Sequence, residues 1–133
     1  DRYQRRLNVA DEKNGARIET GSMYNPPDVP YFRYLVSRRW PSGITRDAID
    51  QWDRELAPST LLLDAWRAKE IDDSLFEERY ETELNQHPGL IKWVVNAATN
   101  GIVLVDDADN EPAPRSVLAS IIRRHFSRMQ DST

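Results

Sequence analysis

The sequence predicts a single α/β domain in which a small, at least partly parallel sheet of about three strands is covered by about five helices. Three observations carry this. Two short runs, residues 31–39 (YFRYLVSRR) and 102–105 (IVLV), are rich in aromatic and β-branched side chains and carry apolar residues on both faces, as interior strands of parallel sheets do. Other segments repeat apolar residues at three- and four-residue spacing, begin at capping residues and stop at Pro or Gly. Strand-like and helix-like segments also alternate along the chain, the order from which parallel sheets are built.

Residues 1–15 (DRYQRRLNVADEKNG) hold no sustained period, so an arm or accessory segment is expected there and a domain over 16–133. The chain reads as extended over 16–24, and Asn25-Pro26-Pro27 must stop it, because proline restricts both itself and the residue before it. The second strand follows at 31–39. Thr45 is placed to cap a helix with Ile49, Trp52 and Leu56 on its inner face, ended by Pro58. Ser59 opens another, with Leu62, Leu63 and Trp66 inward. Ser74 and Glu77 have capping-box spacing ahead of the stripe Phe76, Tyr80 and Leu84. Pro88 suits a first helical turn before Leu90, Ile91, Val94 and Val95, and Asn100-Gly101 is the expected left-handed stop. After the strand at 102–105 comes an acidic loop, 106–111, and a last helix from about Arg115 to Met129 that turns Val117, Leu118, Ile121, Ile122 and His125 inward.

Composition narrows the function classes. A chain of 133 residues with 39% apolar residues, four Trp, five Tyr and three Phe can fill one core. No cysteine is present, which excludes disulfides, thiolate zinc sites and cysteine nucleophiles and is compatible with a cytoplasmic address. No apolar run approaches the ~20 residues of a membrane span, and residues 1–21 lack the apolar centre of a secretory signal. Net charge is −4, and over residues 59–86 three basic side chains (Arg67, Lys69, Arg79) face eight acidic ones, which argues against duplex nucleic acid as a partner.

Two loops are candidate sites. The first, Arg38-Arg39-Trp40-Pro41-Ser42-Gly43, joins the end of an inner strand to an expected helix start, and open α/β sheets bind ligands at such carboxyl ends. Helix N–H groups and an arginine fork there would suit a phosphate or carboxylate, with Arg38, Trp40 and Gly43 as ligand-binding candidates. The structural alternative is that Trp40 plugs the core while Arg38 pairs with an internal carboxylate, Asp107 or Asp109 being nearest by topology. That pairing is the expectation, because a buried guanidinium needs an anion.

The second is the acidic cluster Asp106-Asp107-Ala108-Asp109, with Asp107 and Asp109 as candidates. Its outline is similar to the acidic pair of two-component receiver domains and to the Asp-x-Asp of haloacid-dehalogenase-like phosphatases. Both patterns stand near a domain's beginning, whereas only 24 residues follow Asp109 here, so the cluster is expected to solvate a loop and to hold no metal. His87 and His125 have no second histidine or cysteine at ligand spacing, and neither a Gly-rich phosphate loop nor a Gly-x-Ser-x-Gly elbow occurs; no cofactor is expected.

Four motifs occur in order: Tyr24-Asn25-Pro26-Pro27; Tyr34-Leu35-Val36-Ser37-Arg38-Arg39-Trp40-Pro41-Ser42-Gly43; Leu56-Ala57-Pro58-Ser59-Thr60; and Phe76 with Arg79-Tyr80 and Glu83-Leu84. Together they resemble the YeaO-like family, a bacterial and archaeal domain of unknown function, over about residues 18–126. The resemblance implies a compact intracellular α/β domain and supplies no activity, substrate or cofactor. Departures from the family pattern fall at its polar positions. Ser37 stands where an aspartate is usual, Arg39 where a leucine is, and Ser42 where a second arginine is. Ala108-Asp109 replaces Lys-Asp, and Pro112-Ala113 replaces a His-Asn pair. The expectation is therefore a divergent member, a ligand- or partner-binding module whose family site is degenerate. The alternative is an enzyme acting on a small anionic substrate at Arg38 and Asp109.

Overall fold

The computed structural model describes residues 15–131. The expected N-terminal arm, apart from Gly15, lies outside the described residues. Four strands, β1 (Ile18–Ser22), β2 (Phe32–Leu35), β3 (Gln51–Trp52) and β4 (Ile102–Asp106), form one sheet in the order β1-β4-β2-β3, and every pair is parallel. Four α-helices are described: α1 (Thr60–Arg67), α2 (Asp73–Leu84), α3 (Pro88–Ala97) and α4 (Pro114–Asp131). The expected three strands and about five helices are thus corrected to four of each among the described residues.

The difference lies in residues 45–56. Thr45 makes no side-chain cap, and the segment folds as two 3₁₀ turns, Arg46–Ala48 and Arg54–Leu56, on either side of β3. The spacing of Ile49, Trp52 and Leu56 mimics a helix, but the acidic side chains between them bond outward to β2. Asp50 accepts the Arg33 amide at 2.7 Å, and Asp53 accepts the hydroxyl of Tyr34 and the side-chain amide of Gln51. Aspartates that find such partners favour extended backbone over helix. Trp52 then lies across the sheet from the helices, its indole donating to the Ser37 carbonyl at 2.6 Å, while Leu56 enters the main core.

The remaining elements form largely where their signals stand. Ser59 caps α1 by accepting the Leu62 amide, and Pro88 opens α3. The cap of α2 is Asp72, which accepts the Leu75 amide at 2.8 Å, so Ser74, expected to cap it in a box with Glu77, is instead the second residue of the helix. β2 is shorter than the run at 31–39, although Val36 still donates to the Val105 carbonyl beyond the strand's end.

All four helices pack on one face of the sheet. Their core joins Ile102 and Leu104 of β4 and Tyr34 of β2 to Leu62 and Trp66 of α1, Phe76, Tyr80 and Leu84 of α2, Val94 and Val95 of α3, and Leu118, Ile121 and Ile122 of α4. Trp66 stacks on Phe76 with ring centroids 3.8 Å apart, and Arg124 of α4 ties down Glu77 and Glu81 of α2 at 2.7 Å each. The opposite face, with Leu35, Val103 and Val105, is covered by irregular segments that bring Met23, Tyr31, Trp40 and Ile44 over it and by Trp52 of β3.

Gly101 fixes where β4 begins. Its φ is +106°, and a Cβ there would lie 2.4 Å from the Tyr31 ring. Gly101→Ala is expected to cost about 2–4 kcal/mol, combining backbone strain with overpacking, as read by urea denaturation. A loss below about 1 kcal/mol would show that Tyr31 can move aside.

Candidate functional site

In a parallel sheet all carboxyl ends lie along one edge, and here the ends of β2 and β4 are neighbours. A cleft of about 320 Å³ opens above them. Its lining comes from residues 36–39 after β2, Asp106 and Asp107 at the end of β4, Ala57 and Pro58, one face of α1, and Pro114. The α1 residues are Thr60, Leu63, Asp64 and Arg67, at i, i+3, i+4 and i+7, a single stripe along the helix. Leu62 and Trp66, on the other side of α1, are buried in the core. One amphipathic turn pattern therefore builds both a core contact and a cleft wall.

Arg38 reaches across the cleft to the turn before α1. Its Nη2 donates to the Ala57 carbonyl at 2.9 Å, and its Nε lies 3.2 Å from the carbonyls of both Ala57 and Pro58. The same turn is held from α2. The Tyr80 hydroxyl donates to the Leu56 carbonyl at 2.5 Å, and the Glu83 carboxylate accepts the Ser59 amide at 2.8 Å and the Ser59 hydroxyl at 2.5 Å. Burial, reinforced by the negative charge of Asp106, pushes the Tyr80 phenol well above its ordinary range, so it stays a donor.

Beneath the cleft sits a buried ion pair. Asp106 and Arg115, 2% and 5% exposed, meet at 2.5 Å. The Asp106 carboxylate also accepts the amides of Ala108 and Arg115 at 3.1 Å each, and the guanidinium donates to the Ala108 carbonyl at 2.5 Å. Burial pushes the Asp106 carboxyl up, and the Arg115 charge with these amides draws it only part of the way back. The pair pins loop 107–113 to the start of α4 and uses up the one buried carboxylate of the cleft.

The structure brings together Arg38 and Asp107 of the sequence-predicted residues and separates the rest. Trp40 lies on the other face, donating to the Ile44 carbonyl at 2.7 Å and packing edge-on against Trp52. Gly43, with φ +79°, sits in an exposed turn with no atom within 4 Å of a built Cβ. Asp109 is exposed and outside the cleft lining. The expected ion pair between Arg38 and Asp107 or Asp109 does not form; among the described residues no carboxylate lies within ion-pair distance of Arg38, and two main-chain carbonyls answer its guanidinium instead. The helix start beside it is that of α1, not one at Thr45. Sequence reasoning missed Arg39, Asp64, Arg67 and Arg115. The first two arginines and Asp64 could have been found from the polar stripe of α1 and the strand end, whereas Arg115 needed the three-dimensional return of α4. His125 lies 3.2 Å from Glu81 between α2 and α4, and no group of three metal-ligating side chains gathers among the described residues.

A family model described as the inactive DUF488-N3 subclade matches residues 17–133. The chain is also 40% identical over 73 residues to the uncharacterized protein YeaO of Escherichia coli (strain K12), a stretch covering 53% of this chain and 64% of that protein. It thus spans less than two thirds of the length of this curated relative. No solved structure matches.

The buried pair gives a test of the site's frame. Asp106→Asn keeps the shape but leaves the buried Arg115 charge only the half-exposed Glu111, 3.4 Å from its Nε, and is expected to cost about 3–5 kcal/mol in urea denaturation at neutral pH. A loss under about 1 kcal/mol would mean that the cleft floor does not depend on the pair.

Proposed function

This chain belongs to the inactive DUF488-N3 subclade, a YeaO-like domain, and on that premise we propose that it is a binding module that holds a small anion in the Arg38 cleft without transforming it. The observation that carries this is the way Arg38 is held. Carbonyl dipoles fix the guanidinium's direction but leave its full charge in place, and arginine cannot shed that charge at physiological pH. Arg39 and Arg67 line the same cleft, at the strand ends where open α/β sheets receive ligands.

Three features speak for holding rather than turnover. The family model is described as inactive. Among the described residues the hydroxyls in the lining are those of Ser37 and Thr60, with no histidine or lysine beside them, and Ser37 donates to the Arg39 carbonyl at 2.6 Å, so no activated nucleophile is paired there with a histidine or lysine base. Ser37 and Pro112 also stand where the family resemblance leads one to expect an aspartate and a histidine. The enzyme alternative built on Arg38 and Asp109 lacks support, because Asp109 is not part of the cleft.

The test is a thermal-unfolding titration with inorganic phosphate at matched ionic strength. Ligand binding to the folded state adds about 2.7 kcal/mol at a concentration a hundredfold above Kd. The parent is expected to respond at millimolar phosphate or below, and Arg38→Ala to weaken that response at least tenfold while losing about 1–3 kcal/mol of baseline stability, because it unpairs the Ala57 and Pro58 carbonyls. Arg38→Lys, which retains charge, serves as the folding control. A parent that gains no more from phosphate than the Arg38→Ala variant would overturn the proposal.

A further inference from the structure

Resting on that anion-binding reading, we infer that the cleft's ligand is a small phosphomonoester whose far end carries hydrogen-bond donors, hydroxyl or ammonium. The lining has charges of both signs, and the two signs have different standing. Asp106 is consumed by Arg115, but Asp64 and Asp107 are exposed, and among the described residues neither carboxylate has an ion-pair or hydrogen-bond partner. An ionised carboxylate only accepts, so these two groups select donors and repel a second anionic end.

Placement separates the two kinds of contact. Arg38 meets the turn that leads into α1, beside Thr60. Asp64 lies one turn further along α1 on the same stripe, and Arg67 closes the stripe about 10 Å from Thr60 at 1.5 Å of rise per residue. An anion drawn to Arg38 therefore leaves its remainder lying along α1, where Asp64 reaches it from the helix and Asp107 from the end of β4. The volume, about 320 Å³, is at the lower end for small-molecule sites and suits a ligand larger than inorganic phosphate and smaller than a dinucleotide. A second anionic end lying beside Asp64 and Asp107 meets both aspartates with the wrong sign, and a bare phosphate uses neither of them.

Isothermal calorimetry on the full chain separates the cases, with inorganic phosphate, ribose 5-phosphate and phosphoethanolamine as probes. At least one of the two esters is expected to bind fivefold or more tightly than inorganic phosphate, ribose 5-phosphate reporting hydroxyl donors and phosphoethanolamine an ammonium. Asp64→Ala and Asp107→Ala, both at exposed positions without side-chain partners among the described residues, should each reduce that advantage at least threefold while leaving phosphate affinity the same or higher. Equal affinity for all three probes, or an ester advantage that survives both substitutions, would refute this inference and leave anion binding standing. Failure of every probe to bind would instead remove the anion-binding reading beneath it.

Discussion

Every side chain of β4 is at most 2% exposed, and this strand pairs on both edges, with β1 from Ile18 to Ser22 and with β2 from Phe32 to Leu35. A strand enclosed in this way must be covered on both faces, because its apolar side chains alternate between them. The four helices cover Ile102 and Leu104, and the chain has no helix among the described residues to spare for Val103 and Val105. Residues 23–31 and 40–52, irregular apart from the 3₁₀ turn Arg46–Ala48 and β3, do that work with Tyr31, Trp40 and Trp52. β3 is a by-product of this economy. The segment that returns Trp52 to the sheet runs beside β2 for two residues, long enough to pair and too short to announce itself as a strand.

The same constraint decides what could be read in advance. β4 was legible because four consecutive apolar residues between Gly101 and Asp106 admit few alternatives. α2 was legible because Phe76, Tyr80 and Leu84 recur at one helical face, whatever residue caps it. Residues 45–56 were not legible, since the apolar period was right for a helix and the deciding contacts, from Asp50 to the Arg33 amide and from Tyr34 to Asp53, join positions 17 and 19 residues apart. Arg38 was legible as a strand-end cation, but its partners were not. A main-chain carbonyl has no side-chain identity, so nothing in the letters Ala57 and Pro58 marks them as acceptors. Arg115 was hidden for a related reason. It reads as the first polar residue of a helix, and only the return of α4 beneath β4 brings it to Asp106.

Of the arginines at the carboxyl edge of the sheet, Arg115 and Arg38 are satisfied in opposite ways. Arg115 meets a carboxylate in a site almost closed to water, so its charge is cancelled where it lies and serves only to hold loop and helix together. Arg38 meets two carbonyls, whose dipoles orient it but leave a net positive charge facing a cleft. A charge kept this way weakens with distance and salt as any partly exposed charge does, yet it remains available to an incoming anion. This difference, rather than the mere presence of arginine, separates a residue that braces the fold from one suited to a ligand.

The residues shared with the family resemblance fall into place on the same argument. Tyr80 and Glu83 do not face the cleft; they grip Leu56 and Ser59 on either side of the carbonyls that hold Arg38. Phe76 stacks under Trp66, the buried side of the helix whose other side forms the cleft wall. Those motifs describe a scaffold for positioning one guanidinium and one helix stripe. Departures at Ser37, Ser42, Ala108 and Pro112 leave that scaffold intact, because none of these side chains takes part in the grip on residues 56–59. A fold can therefore lose the polar groups of a reaction and still keep a shaped, charged cleft, since the interactions that build the cleft are carried by different residues from those that a reaction would need.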